Sequence, residues 1–167
     1  MRDINEAGIN LIKSFEGIVD GDPTTVKLDP YLDPIGIWTI GWGHAITMDN
    51  RFLKGAADKP RVKTMFAGGI TTDEATLLLR SDLLKACRGV ESLVKTPISD
   101  NQFAALVSFA FNAGLANLAK STLLRLVNEQ KFTAASQEFA KWNKAGGKVL
   151  KGLTRRRAAE AQLFMTP

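Results

Sequence analysis

Apolar residues recur at helical spacing near the start of the chain, break into short β-like runs between glycines, and then return to helical spacing. Ile4, Gly8, Leu11, Ile12 and Phe15 mark one face of a helix over residues 4–16, with Asn5 as its cap and Gly17 as its end. Glu16 then falls in the last turn. Residues 18–34 are rich in Asp, Gly, Pro and Thr, which predicts a loop. Over residues 28–43, Tyr, Ile, Trp and Thr stand between glycines, a pattern of short antiparallel strands and tight turns. Residues 49–69 have weak periodicity and predict an extended surface loop or a short helix.

Helical spacing resumes at Thr71-Thr72-Asp73-Glu74, a capping-box pattern that opens a helix running to about Val94, before Pro97. Ser99-Asp100 starts the next, over 101–112. Its Phe103, Leu106, Val107, Ala110 and Phe111 cover a face broad enough for a central, buried helix, and Gly114 ends it. Further helices are expected at about 120–129, 133–141 and 154–163, with a loop over 144–152 between the last two. Early, local strands followed by helices define an α+β fold. No repeat, low-complexity tract or linker interrupts the 167 residues, a length sufficient for one buried core.

Composition narrows the picture. An apolar share of 45% and a charged share of 23% are those of a soluble globular protein. The longest apolar run, Phe103 to Phe111, is too short to span a bilayer, and Met1-Arg2-Asp3-Ile4-Asn5-Glu6 lacks an apolar signal core, so synthesis and folding in the cytosol are expected. Cys87 is the only cysteine, which precludes an intrachain disulfide; among Leu83, Leu84 and Val90 it reads as a small buried thiol. One cysteine and one histidine cannot build a zinc site of the usual kind, and Asp20 with Asp22 lack the rest of a calcium loop. No metal or cofactor is expected. The net charge is +5, and residues 141–157 hold seven basic side chains and no acidic one. Such a segment is either a solvated basic face or a field for a polyanion, whether nucleic acid, anionic lipid or an acidic cell wall.

The chemistry concentrates in Tyr31-Leu32-Asp33-Pro34-Ile35-Gly36-Ile37-Trp38-Thr39-Ile40-Gly41-Trp42-Gly43-His44, a short way after Ser14-Phe15-Glu16-Gly17. Glycoside cleavage needs a proton on the leaving oxygen and a second group on the other face of the sugar ring. Glu16, at a helix end, suits the acid, and Asp33, in a polar turn, suits the base. Thr39 can share a pocket with Asp33 across a hairpin and orient a water there; its other reading is a β-branched residue placed for strand propensity. His44, the only histidine, reads as a structural hydrogen-bonding residue that fixes the chain near Glu16.

Glu16-Gly17 with Tyr31-x-Asp33-x-x-Gly36-x-x-Thr39-x-Gly41-x-Gly43-His44 resembles the catalytic signature of phage lysozymes (endolysins) of glycoside hydrolase family 24. The resemblance continues through Asp100-Asn101-Gln102, Ala105 to Gly114, Ser121 to Leu124, Phe139 with Trp142, and Gly146-Gly147 to Leu163-Phe164, and so covers nearly the whole chain. It implies one lysozyme-like catalytic domain over 1–167, with a small antiparallel β lobe at about 18–69, a larger helical lobe at about 1–17 and 70–167, and an active-site cleft between them. It also implies a muramidase that cuts the β-1,4 bond between N-acetylmuramic acid and N-acetylglucosamine in peptidoglycan and so lyses the host cell. Glu16 would be the general acid, with Asp33 and Thr39 holding the attacking water. Phe111 and Asn112 would contact sugar, and Arg156 would pair with Glu16, with Arg155 and Arg157 as competitors. The 17-residue spacing from Glu16 to Asp33 implies a longer loop at 18–29, and 49–69 looks inserted relative to compact members. A monomer is expected, made in the host cytoplasm, released by a holin-type pore, and acting on the wall in the periplasm. It would neither bind nucleic acid nor insert stably in the membrane.

Two other classes fit parts of the same chain. A lytic transglycosylase would use one acid and no water, which leaves Asp33 and Thr39 without work. A basic protein binding nucleic acid or wall polymer through 141–157 would need neither carboxylate, and no nucleic-acid motif accompanies that segment.

Overall fold

The computed structural model describes residues 1–167. They form two compact units, one made of Met1–Phe15 with Leu83–Pro167 and the other of Glu16–Asp82.

In the smaller unit, β1 (Tyr31–Leu32), β2 (Trp38–Ile40) and β3 (His44–Ala45) make an antiparallel sheet in that order. Its register pairs Tyr31 with Thr39, Leu32 with Trp38, Thr39 with Ala45 and Ile40 with His44. A second ribbon, β4 (Thr47–Met48) with β5 (Arg51–Phe52), turns through Asp49 and Asn50, both at positive φ. The core lies under Trp38, Ile40, Ile46, Leu53 and Val62. Each fully buried aliphatic chain of this kind contributes about 1.5–3 kcal/mol. Gly41, at φ 63°, sits so close to the helix over Thr72–Leu93 that a β-carbon there would lie 2.8 Å from Ala75 Cβ.

The region 49–69 is more ordered than its weak periodicity predicts, because it contains an 11-residue helix, α2 (Gly55–Met65). Only Val62 and Asp58 are buried on it, so there is no apolar stripe to read, and Pro60 removes one helical hydrogen bond. Asp58 anchors it instead. Its carboxylate takes Arg51 in a two-pronged ion pair at 2.8 and 2.9 Å and accepts the Lys54 amide at 2.8 Å. Those donors hold the Asp58 carboxyl well below the ordinary carboxylate range.

Helix α3 (Thr72–Leu93) begins with the capping box expected from sequence. Thr71 N donates to Glu74 Oε2 at 2.7 Å, and Glu74 N to Thr71 Oγ1 at 3.1 Å. Its residues up to Asp82 belong to the smaller unit and the rest to the larger.

The larger unit is built around α4 (Asp100–Ala113), whose residues Phe103 through Ala110 are all buried. Ser99 and Gln102 close a reciprocal cap on it, and Gly114 ends it at φ 99°. Helix α1 (Glu6–Glu16) starts where Asn5 Oδ1 accepts the Gly8 amide at 3.0 Å. A β-carbon on Gly8 would lie 2.6 Å from Ala104 Cβ, so α1 and α4 approach to backbone distance there. Short helices α5 (Leu115–Ala119), α6 (Thr122–Asn128) and α7 (Phe132–Glu138) follow, with a single 3-10 turn at Phe139–Lys141. Phe109 packs edge-on against Phe139 and Trp142, with ring centres 5.8 and 5.5 Å apart. Cys87 is buried, as its setting in the sequence predicts.

Residues 144–149 are not the loop expected. They form a hairpin, β6 (Lys144–Ala145) with β7 (Lys148–Val149), whose turn residues Gly146 and Gly147 adopt φ 57° and 77°. Positive φ at both central positions is the geometry that suits a two-residue hairpin, and Gly-Gly provides it without strain. The last helix, α8 (Lys151–Met165), consequently starts earlier than expected, with Thr154 N donating to Leu150 O. No helix is long and apolar enough to cross a membrane.

The basic segment is exposed at Lys141, Lys144, Lys148, Lys151 and Arg155, as a basic face requires, and departs from that reading only at its last two residues. Arg156 and Arg157 are buried together with Glu160 rather than presented to solvent. Arg156 Nε lies 3.3 Å from Glu160 Oε1 and Arg157 Nε 3.1 Å from Oε2, while Ser108 Oγ donates to Oε1 at 2.7 Å. The Arg157 contact is close but poorly aligned: neither its Nε nor Glu160 Oε2 has a hydrogen-bond partner. Burial pushes the Glu160 carboxyl above its ordinary range against the pull of Arg157, and pulls the Arg157 guanidinium down. The Phe109 ring, 5.0 Å from the Arg157 guanidinium, compensates part of that cost.

Candidate active site

The smaller unit contains Glu16, Asp33, Thr39 and His44. Glu16 closes α1 and is followed by Gly17 at φ 67°, which turns the chain sharply and leaves the carboxylate exposed. Gly43 faces it: a β-carbon there would lie 3.6 Å from Glu16 Oε2. Gly43 itself has φ 73°, so a residue with a side chain would be strained there, its β-carbon in ordinary contact with the carboxylate.

Asp33 is the keystone of the β1–β2 turn. Its Oδ1 accepts the amides of Ile35 at 3.0 Å and Ile37 at 2.8 Å, and its backbone carbonyl accepts that of Gly36. An aspartate that bonds the backbone two residues on builds a turn by itself. Both bonds use the same oxygen, so Oδ2 remains available to a ligand or a water.

Thr39 lies directly across from Tyr31, on the face that Asp33 would share by strand alternation, two residues beyond Tyr31. It is only 4% exposed, and its hydroxyl donates to the Ile37 carbonyl at 3.1 Å. With its proton so committed, Thr39 Oγ1 can still accept a hydrogen bond from a water.

His44 is half-buried on β3. Its Nδ1 stands 3.0 Å from both oxygens of Asp82, on α3. Sequence reasoning found His44 but missed Asp82, because 38 residues separate them and nothing local marks the pair. It also passed over Tyr31 as a site residue. Burial, then the charges of Asp33 and Glu16, push the Tyr31 hydroxyl above its ordinary range, which puts the ring within electrostatic reach of both carboxylates.

The remaining candidates belong to the larger unit. Phe111 is half-buried in the last turn of α4. Asn112 Oδ1 accepts a hydrogen bond from Arg157 Nη2. Of the three arginines considered, Arg155 is exposed, Arg157 is held by Glu160 and Asn112, and Arg156 also lies with its guanidinium 5.8 Å from the Phe15 ring centre. Asp20 and Asp22 act within their loop, Asp20 Oδ1 accepting the Asp22 and Asp29 amides and Asp22 Oδ1 that of Thr24.

A short antiparallel sheet with Asp33 in its first turn and Thr39 on its central strand, a glutamate closing the helix before it, and a helical unit centred on a buried helix make up the α+β architecture of lysozyme-like proteins. A profile of the phage lysozyme family matches residues 14–160, and the chain belongs to that family. It is 42% identical over 163 residues to an endolysin of Bacillus phage B103, covering 98% of this chain and 54% of that protein, so it spans about half the length of such relatives. An endolysin of Acyrthosiphon pisum secondary endosymbiont phage 1 is 33% identical over 96% of this chain and 97% of its own length. Among solved structures, the muramidase domain of SpmX from Asticaccaulis excentricus matches all of both chains with a TM-score of 0.74 and 38% identity.

Proposed function

We propose that this protein is an endolysin-type muramidase that hydrolyses the β-1,4 bond between N-acetylmuramic acid and N-acetylglucosamine in peptidoglycan and thereby lyses the host cell. The observation that carries the reading is the division of labour at Asp33: one oxygen builds the turn and the other stays open, two residues beyond Tyr31, the cross-strand partner of Thr39. In the reaction Glu16 gives its proton to the glycosidic oxygen as the bond to the anomeric carbon breaks. A water held by Asp33 Oδ2 and Thr39 Oγ1 forms the new bond to that carbon and passes a proton to Asp33. Attack by such a water inverts the anomeric centre.

Residues 1–167 act in this reading as one catalytic domain. His44, through Asp82, holds β3 and Gly43 in place opposite Glu16. Phe111 and Asn112 contact sugar, and Arg156 supports Glu16, consistent with its place beside Phe15. The enzyme works as a monomer without metal or cofactor, is made in the host cytoplasm, and reaches the wall through a holin-type pore.

Mass spectrometry of muropeptides from purified peptidoglycan, digested with wild-type and Glu16→Gln protein, tests the proposal. Reducing muramic-acid ends from the wild type alone are expected. Anhydro ends would mean a transglycosylase, and undigested profiles from both proteins would point to a binding role.

A further inference from the structure

The smaller unit contains a cavity of about 620 Å³ that has no part in the scheme above. Its size falls in the roughly 300–1,000 Å³ range of ligand pockets. Residues of opposite charge line it, from two separate segments. Helix α2 supplies Lys59 and Lys63, four residues apart and therefore on one face, while the loop before β1 supplies Asp22 and Asp29. Trp38 and Phe66 add apolar surface.

None of these four charges is neutralised by an ion pair. Arg51 and Arg61, the neighbouring cations, are both engaged with Asp58, at 2.8 and 3.5 Å. Lys59 and Lys63 have no acidic partner. Asp22 binds Thr24 through Oδ1, and Asp29 accepts the Thr25 hydroxyl through Oδ2, so each keeps one oxygen uncommitted. The acidic wall is a built one. A β-carbon on Gly21 would lie 1.9 Å from Pro30 O, and Gly21 N donates to Asp29 O, so the loop is closed on itself at backbone distance.

Tyr31 joins this cavity to the candidate active site, since it lines the cavity and is the cross-strand partner of Thr39. We propose that the cavity between α2 and the Asp22–Asp29 loop is a subsite for a short peptide bearing both free carboxylates and a free amine, the stem peptide carried on the muramic-acid units of the substrate. The proposal rests on the peptidoglycan reading given above. Carboxylates of the peptide meet Lys59 and Lys63, and its amine meets Asp22 and Asp29. A uniform polyanion would be repelled by the aspartates, and bare sugar would leave four charges unused. A peptide with charges of both signs satisfies both walls.

The test compares kcat/KM on peptide-bearing peptidoglycan with that on glycan strands stripped of peptides by an amidase. In Lys59→Glu/Lys63→Glu protein the ratio of the two is expected to fall about tenfold from its wild-type value; an unaltered ratio overturns the proposal. A second measurement needs no catalysis. Free stem peptide titrated into 15N-labelled wild-type protein is expected to shift the amides of Lys59, Lys63 and Asp29, and the absence of shifts there overturns the subsite. If the wild type cuts neither substrate, the muramidase reading fails, while the titration still decides the pocket.

Discussion

His44 Nδ1 stands 3.0 Å from both carboxylate oxygens of Asp82, a pairing that ties strand β3 to helix α3. The residue before His44 is Gly43, whose backbone faces Glu16. In the proposed function the pair acts on the site by holding a strand, not by touching substrate. Asp82→Ala is expected to cost about 1 kcal/mol of stability, the typical worth of a hydrogen bond of this kind, and to reduce wall lysis. Denaturant melts of the two single mutants and the double His44→Ala/Asp82→Ala variant check this, because the double mutant should lose little more than either single.

Tyr31 is the only tyrosine in the chain, so its ionisation can be followed without interference. Burial and the charges of Asp33 and Glu16 raise its pKa, which places the tyrosinate absorbance change above the ordinary value of about 10. Removing the Glu16 charge in Glu16→Gln should move that midpoint down. An ultraviolet pH titration of the two proteins reads the shift directly, and an unmoved midpoint would mean the two residues are not electrostatically coupled.

Glu160 is wholly buried between Arg156 and Arg157. Glu160→Gln should destabilise the fold by roughly 3–5 kcal/mol, because it leaves buried guanidinium charge uncompensated. Replacing the cation as well, in Arg157→Met/Glu160→Gln, should recover part of the loss. Thermal melts of the three proteins test the order wild type, double mutant, single mutant.

Asp58 gives a pH signature. Its folded pKa is depressed by Arg51 and the Lys54 amide, so its stabilisation is fully present above the unfolded value of about 3.9 and is lost as pH falls through the folded value. The melting temperature of Asp58→Asn should lie below that of the wild type at neutral pH, and the gap should narrow below about pH 4. A gap that stays constant on acidification would remove the carboxylate from this role.

Much of this architecture was legible in local patterns. The capping box at Thr71–Glu74, the helix start at Ser99, the buried run of α4 and the Gly17 and Gly114 stops all depend on residues a few positions apart. The turn at Asp33 is equally local, since the side chain bonds amides two and four residues on. Elements stabilised by distant or polar contacts were not legible. Helix α2 buries one apolar residue and relies on Asp58, and the Gly146-Gly147 hairpin is too short to show strand alternation.

The sequence by itself determined where α1, α3 and α4 begin and end, that the strands β1 to β3 are short and local, and which side chains are candidates for the site. Those properties follow from backbone preference and from groups within one or two turns of each other. Only the tertiary structure decided that His44 answers to Asp82, that Arg156 and Arg157 leave the exposed basic face to be buried around Glu160, and that Lys59 and Lys63 line the same cavity as Asp22 and Asp29. Each of these depends on side chains brought together from separate segments. A charged residue looks the same in a sequence whether it is solvated or desolvated, and burial decides which.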